Sequence, residues 1–392
     1  MSFLVDVVNL NADASCLSSK WWLKMLTGKS ESYFCKWLAS YVMTEKKVSL
    51  GITGASVADI SMHNPEAIQF INKNRNIFEI ILRPFSHDIG LLRSIDGFRL
   101  NLESGMKVLK KEFDTYENYF LPPEFMITNE QLYILKQHGV SGTFINASRF
   151  KNEIKDRLPD KPYHVKGLMN VEMKCIPFNG ELTLGYLQGI HFFNAEAWNK
   201  ILKKSDQVYF SWRDGESSFF VPNGNERETS WLAAEANNIE RLFLSEALNK
   251  VTFDNNSNLK ENHYHYYPIH SFTAWMKEFR MIGFVQKAMQ AEQHILQFTK
   301  EQKALWLQVI NSDILSSVEK DSPVISIKMK KEDVAFSNHT IWRCERGLEG
   351  EEFLALLKGD LKEQVIDQYL TKSTDHHMLK LQARLKYLKE IV

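Results

Sequence analysis

Two short stretches place carboxylates where chemistry is feasible: FLPPEF at 120–125 and SWRDGESSFF at 211–220. In the first, Glu124 follows Pro122 and Pro123, which fix the backbone and remove two amide donors. The loop is either a strand-end turn with an exposed glutamate or a rigid mount that preorganises a nucleophile. In the second, Asp214 precedes Gly215, and Glu216 follows. Asp-Gly is a common turn, yet this one closes the apolar run VYFSW, at the strand end expected to carry function. Two acids divide acid/base work only if one starts charged and the other protonated. Desolvation by VYFSW and SSFF is the means by which Asp214 would hold a raised pKa.

Other polar residues join them. His87, in RPFSHDIG, is followed by Asp88 and is either a satisfied structural histidine or a group that meets substrate hydroxyls. Glu79 lies in the strand-like run before it. Trp212, Trp231, Phe219 and Tyr266 are candidates for a stacking wall, because sugar faces pack on rings while hydroxyls need polar partners. His263, His265 and His270 crowd ENHYHYYPIH, but without helical i+4 spacing they read as an aromatic loop, not a zinc site. Cys16, Cys35, Cys175 and Cys344 lie far apart and read as free thiols.

These residues need elements to position them. FLVDVVNL, KKVSLGITG and NIFEIILRPF read as strands, with the stretch WWLKML to WLASYV and ADISMHNPEAIQFINKN as helices between. ESGMKVLKKEF and NEQLYILKQHG continue the helices, and VSGTFINA and QVYFSW the strands. This rhythm predicts parallel β/α units, as an open sheet or a closed barrel, with strands at 3–10, 47–53, 77–85 and 141–147 side by side. In either case ligands sit at the carboxyl ends of the strands. After about residue 255 the sequence turns helical; HSFTAWMKEFRMIGFVQKAMQAEQHILQFTKEQKALWLQVI reads as one long helical stretch, and VISIKMKKEDVAF as an extended interruption.

The chain has 392 residues, 44% of them apolar, which suits two domains or a large barrel with an appendage. Lysine plus arginine equals aspartate plus glutamate at 48 each, so no positive field predicts a nucleic-acid partner. The start, MSFLVDVVNL, reads as a strand and not a signal, and no apolar stretch is long enough to span a membrane. A cytoplasmic protein is expected.

The run FEIILRPFSHDIGLLRSIDGFRLNLESGMKVLKKEFDTYENYFLPPEF resembles the corresponding stretch of the family-57 glycoside hydrolases, a group of α-amylases, glucanotransferases, branching enzymes and α-galactosidases. SWRDGESSFF resembles the family's Asp-Asp-Gly-Glu motif, with Arg213 in place of the first aspartate. KKVSLGITGASVADI is similar to its second strand, and KALWLQVINSDIL to a Trp and Ser-Asp pattern in its helical region. The likeness extends over about residues 1–315. It implies an α/β fold, a distorted (β/α)7 barrel over 1–255, with a helical region over 256–392 completing the cleft. It implies Glu124 as nucleophile and Asp214 as acid/base, His87 and Asp313 as substrate-side residues, and Trp306 as a sugar-contact ring. The family's first strand ends in His-x-His-Gln-Pro; here the chain reads NLNADAS, with Asn11 and Asp13 in that neighbourhood. The activity implied is a retaining glycoside hydrolase or transglycosylase on an α-linked oligo- or polysaccharide, with no cofactor and no metal. Two alternatives stand beside it. One is a non-catalytic carbohydrate-binding protein on a degenerate barrel. The other is a metal-dependent polysaccharide deacetylase, with Asp13 and His87 as partial metal ligands and Leu91 where a second histidine is needed.

Overall fold

The computed structural model of the chain describes residues 3–11, 32–146, 161–166, 168–178, 207–215, 229–230, 232–233, 239–258, 279–310, 323–328, 333–337 and 376–392. Its first half alternates strand and helix: β1 (Phe3–Leu10), α1 (Tyr33–Met43), β2 (Val48–Ile52), α2 (Gly54–His63), α3 (Pro65–Lys73), β3 (Phe78–Leu82), α4 (Ile95–Phe113), β4 (Glu117–Phe120), α5 (Asn129–Gln137) and β5 (Gly142–Asn146). There follow β6 (Tyr163–Lys166), β7 (Glu172–Phe178), β8 (Val208–Asp214), β9 (Glu240–Arg241), α6 (Leu244–Leu248) and β10 (Asp254–Asn258). The later elements are α7 (Phe279–Glu292), α8 (Lys300–Val309), the strands β11 (Pro323–Lys328) and β12 (Asp333–Ser337), and α9 (His376–Ile391).

The first ten strands form one sheet in the order β10-β6-β7-β5-β4-β3-β2-β1-β8, with β9 also on β1. Every pairing in it is parallel except β6 with β7. Of the four strands expected side by side, β1, β2 and β3 are neighbours, and β4 stands between β3 and β5. Among the described residues no hydrogen bonds join β7 to β8, so the sheet is not closed into a barrel by its ladder, although these two strands approach one another.

β1 shows how the sheet is packed. Successive side chains leave opposite faces of a strand. Val5 and Val7 enter an inner cluster with Ile81, Leu121, Phe144, Ile176, Phe210 and Trp212, while Leu4, Val8 and Leu10 enter the larger outer cluster under the helices. Both faces are buried, as parallel strands require. The inner cluster draws on β1, β3, β5, β7 and β8, so the sheet curls around it.

Local chemistry sets the helix boundaries. Ser94 accepts from the Gly97 amide at 3.0 Å and starts α4; Thr128 and Gln131 form a capping box that starts α5. The expected long helix after residue 270 is interrupted where it can be seen. A 3-10 turn at Ile295–Gln297 ends the α7 region, and a second capping box, Thr299 with Gln302, starts α8. β11 and β12 are the extended interruption anticipated there, and they pair antiparallel. β10 pairs with β6, so the sheet continues to Asn258. No described helix is long and apolar enough to cross a membrane.

Candidate active site

Three strand ends supply the mouth of the sheet. The strap after β3 carries Arg83 and His87, the loop after β4 carries Glu124, and β8 ends on Asp214. The strap is fixed before any ligand arrives. Gly54 and Gly105 let α2 and α4 approach it: a Cβ on Gly105 would stand 2.4 Å from the Arg83 carbonyl oxygen, and one on Gly54 2.9 Å from the Phe85 Cα. Asn101 accepts from the Ser86 amide at 2.7 Å and donates to the Ser86 carbonyl at 3.2 Å. The Ser86 hydroxyl donates to the Leu307 carbonyl, tying the strap to α8.

Asp88, next to His87, is buried and accepts from Arg93 Nε with both oxygens at 3.1 Å. The same guanidinium donates from Nη1 to Glu292, the last residue of α7, at 3.2 Å. Burial pushes the Asp88 carboxyl up to about 7; Arg93 opposes this and the nearby Glu292 charge adds to it. Burial works against the charged Arg93, but the two carboxylates outweigh it and its pKa is raised.

His87 Nδ1 stands 3.8 Å from Glu124 Oε1, and both side chains are largely buried. Glu124 has φ 53° and Phe125 φ 53°, two successive non-glycine residues in the left-handed region. Such backbone costs about 1–3 kcal/mol per residue and persists where surroundings enforce it. Here the enforcement is visible: Pro122 and Pro123 precede the turn, and the Phe125 ring is locked edge-on against Trp212 at 5.0 Å and Phe178 at 5.3 Å. Through Phe125 and Trp212, the Glu124 loop touches the strand that ends in Asp214.

Asp214 is held from β1. Asn9 pairs with it in the parallel register and donates from Nδ2 to Asp214 Oδ1 at 2.8 Å. The neighbouring Arg213 side chain leaves the other face, where Asp6 accepts from its Nε with both oxygens at 3.2 Å and from its Nη2 at 2.9 Å. Arg241 Nη1 donates to Asp6 as well, at 2.8 Å. Burial alone would raise the Asp6 pKa, but Arg213 and Arg241 together lower it.

The remaining expected residues fall elsewhere. Glu79 is the second residue of β3, at its amino end, and does not reach the mouth. Its carboxylate accepts from Ser49 Oγ at 2.6 Å, the Leu244 amide at 2.8 Å and Ser245 Oγ at 2.6 Å, which caps α6. Trp306 is fully buried, with the Arg93 guanidinium 5.7 Å from its ring. Trp212 is a buried support for Phe125. Asn11 is buried just beyond β1, and its Oδ1 accepts from Thr53 Oγ1 at 3.3 Å. Asp13, Glu216, Phe219, Trp231, Tyr266 and Asp313 lie outside the described residues, as do His263, His265 and His270. The two described cysteines, Cys35 and Cys175, are free.

Sequence reasoning missed Asn9 and Arg83. Asn9 shares a strand face with Val5 and Val7, so a polar residue two places beyond two inward valines was the available signal. Arg83 follows Glu79 and Ile81 at the same spacing; it is buried and donates from Nη1 to the Leu121 carbonyl at 3.0 Å, bracing the start of the Glu124 loop.

No protein-family model matches the sequence, and no curated protein does. Solved structures do match. A GH57 branching enzyme from Thermococcus kodakaraensis superposes with a TM-score of 0.66 at 11% identity, covering 100% of this chain and 95% of that one. A GH57-type branching enzyme from Pyrococcus horikoshii gives 0.66 at 11% identity, covering 99% and 94%. The 4-alpha-glucanotransferase from Thermococcus litoralis gives 0.62 at 13% identity over 80% of this chain, which spans 55% of that enzyme's length. At these identities the likeness is one of fold alone.

Proposed function

We propose that this protein is a retaining glycoside hydrolase or transglycosylase acting on an α-linked oligo- or polysaccharide. Its sheet functions as a distorted (β/α)7 barrel, with the region after 255 completing the cleft. Glu124 is the nucleophile and Asp214 the acid/base. The observation that carries this reading is the Glu124 loop. A carboxylate sits in enforced left-handed backbone at a strand end, 3.8 Å from His87, and its neighbour Phe125 touches the strand bearing Asp214. Strained, over-determined backbone concentrates at functional sites. The fold shared with branching enzymes and a glucanotransferase supports the α-glucan class.

In the first step a Glu124 oxygen bonds to the anomeric carbon as the glycosidic C–O bond breaks, and the Asp214 proton passes to the leaving oxygen. In the second, the Asp214 carboxylate takes a proton from water or a sugar hydroxyl. That oxygen then displaces Glu124 from the anomeric carbon. His87 orients Glu124 beside the sugar, and in the sequence Asn11 and Asp13 fall in the neighbourhood of the family's histidines. The test is turnover of maltooligosaccharides and aryl α-glucosides. Glu124→Gln is expected to abolish it, and Asp214→Asn to slow it by about 10²–10⁴-fold, least for activated leaving groups. Turnover surviving Glu124→Gln assigns the chemistry elsewhere.

A second reading, a carbohydrate-binding protein without catalysis, is favoured by one observation: Asn9, near the end of the first strand, and Asn11, just beyond it, are amides that cannot serve as acid or base. Maltooligosaccharide binding without turnover, unaffected by Glu124→Gln, selects it.

A further inference from the structure

We propose that Asn9 is a positioning and ligand-binding residue of this cleft. Its amide holds Asp214 by one oxygen, and its own carbonyl oxygen accepts a hydrogen bond from a hydroxyl of the bound sugar. The inference rests on the reading of Asp214 given above.

Two atoms carry it. Asn9 Nδ2 donates to Asp214 Oδ1 at 2.8 Å across the β1–β8 register. An amide N–H on Oδ1 leaves that oxygen an acceptor, so a proton carried by Asp214 belongs on Oδ2, and Oδ2 delivers it. The second atom is Asn9 Oδ1. Asn9 is 4% exposed, and this oxygen has no hydrogen-bond partner. Buried polar atoms are nearly always paired, and an orphan acceptor beside Asp214 at the carboxyl end of β1 is a place for a ligand donor. Rotating the amide by half a turn does not remove the orphan; it sets oxygen against oxygen at Asp214 and leaves the nitrogen unpaired. An asparagine here is also silent between pH 5 and 8, where a histidine titrates. Among the described residues, Arg213 and Arg241 are held by Asp6 on the outer face, and His87 faces Glu124 beyond the ends of β3 and β4.

The first test needs no activity. Asp214 is titrated by carbon-13 NMR in the full-length protein with labelled aspartate side chains, its signal assigned by loss in Asp214→Asn. Asn9→Leu removes a donor to the charged form, and the midpoint is expected to rise by about one unit. Asn9→Asp keeps the volume, serves if the leucine variant fails to fold, and is expected to raise it further by adding a second carboxylate. An unchanged midpoint in the folded variant overturns the positioning role. The second test is maltotetraose binding in Glu124→Gln, where the Asn9–Asp214 pair is intact and turnover is blocked. Adding Asn9→Leu is expected to weaken binding about tenfold. Equal binding, or no binding by Glu124→Gln itself, overturns the ligand role. Glu124-dependent turnover with an unmoved Asp214 midpoint sinks this inference alone. A moved midpoint with no turnover on any glycoside sinks the catalytic reading and leaves the pair standing.

Discussion

Asp6 and Asp88 are both withdrawn from solvent and both held by arginine, yet the charge around them is balanced in opposite senses. Asp6 lies between two guanidiniums, Arg213 and Arg241. Asp88 shares one guanidinium, Arg93, with a second carboxylate, Glu292. Burial pushes both acids toward the neutral form. Two arginines reverse that at Asp6, and its pKa falls below the ordinary value. One shared arginine does not reverse it at Asp88, whose pKa rises to about 7. The lesson is that the count of buried charges, not the presence of an ion pair, decides protonation. Each cluster also braces one candidate residue: Arg213 precedes Asp214, and Asp88 follows His87.

The largest effect is expected from Asp6→Leu. It removes the carboxylate that two buried guanidiniums share, and breaking a buried pair from one side costs about 3–5 kcal/mol. Urea unfolding at pH 7 measures it. A loss under about 1 kcal/mol would mean that water or other acceptors already solvate these arginines. The pH dependence has a definite sign. Because the folded pKa of Asp6 lies below its unfolded value of 3.8, its stabilisation is present above 3.8 and is lost as pH falls through the folded pKa.

Arg93→Met is the next largest, about 3 kcal/mol at pH 7, because it leaves Asp88 and Glu292 buried together. The loss is expected to shrink toward pH 5, where Asp88 holds a proton in the folded state. Asp88 carries the opposite linkage to Asp6. Its folded pKa of about 7 is above its unfolded 3.8, so its stabilising contribution is complete below 3.8 and is lost as pH rises through 7. Asp88→Asn is therefore expected to flatten the decline in unfolding free energy between those two values. A decline of unchanged slope in Asp88→Asn places the titration on another group.

Much of this architecture is legible in the sequence. FLVDVVNL, the apolar runs at 48–52 and 78–82, and the proline after Asn64 each carry local signals that tertiary structure left in force. β10 was not readable, because DNNSN has no strand propensity and is extended by pairing with β6. Glu79 was misplaced because an acid near a strand suggests a site, while its position one residue into β3 puts it at the amino end, under α6. The burial of Trp306 was not readable, because a helical tryptophan gives no sign of which face is covered. The Arg93–Glu292 contact spans 199 residues, and nothing local in either segment announces it. What sequence supplied of the site was the pair of loops; the asparagine and arginines that brace them came from register and packing.

The smallest expected effects divide the Asp6 cluster itself. Arg213→Met and Arg241→Met each leave Asp6 with one guanidinium, so neither strands an unpaired carboxylate. Arg213 loses more: three contacts to Asp6 and a position 5.8 Å from the Tyr41 ring, against one direct donation from Arg241. A hydrogen bond to a charged group contributes roughly 1.5–3 kcal/mol, so Arg213→Met is expected to cost about 2–3 kcal/mol and Arg241→Met about 1.5. Stability alone separates them poorly, and the site separates them better. Arg213 lies between Trp212 and Asp214 on β8, so freeing it loosens the strand end that presents Asp214; Arg241, on β9, pairs with β1 at Leu4, far from Asn9 along the strand. The Asp214 titration midpoint is therefore expected to move in Arg213→Met and to hold in Arg241→Met. If it moves equally in both, Asp214 feels the charge of the cluster and not its geometry, and the bracing role assigned to Arg213 is wrong.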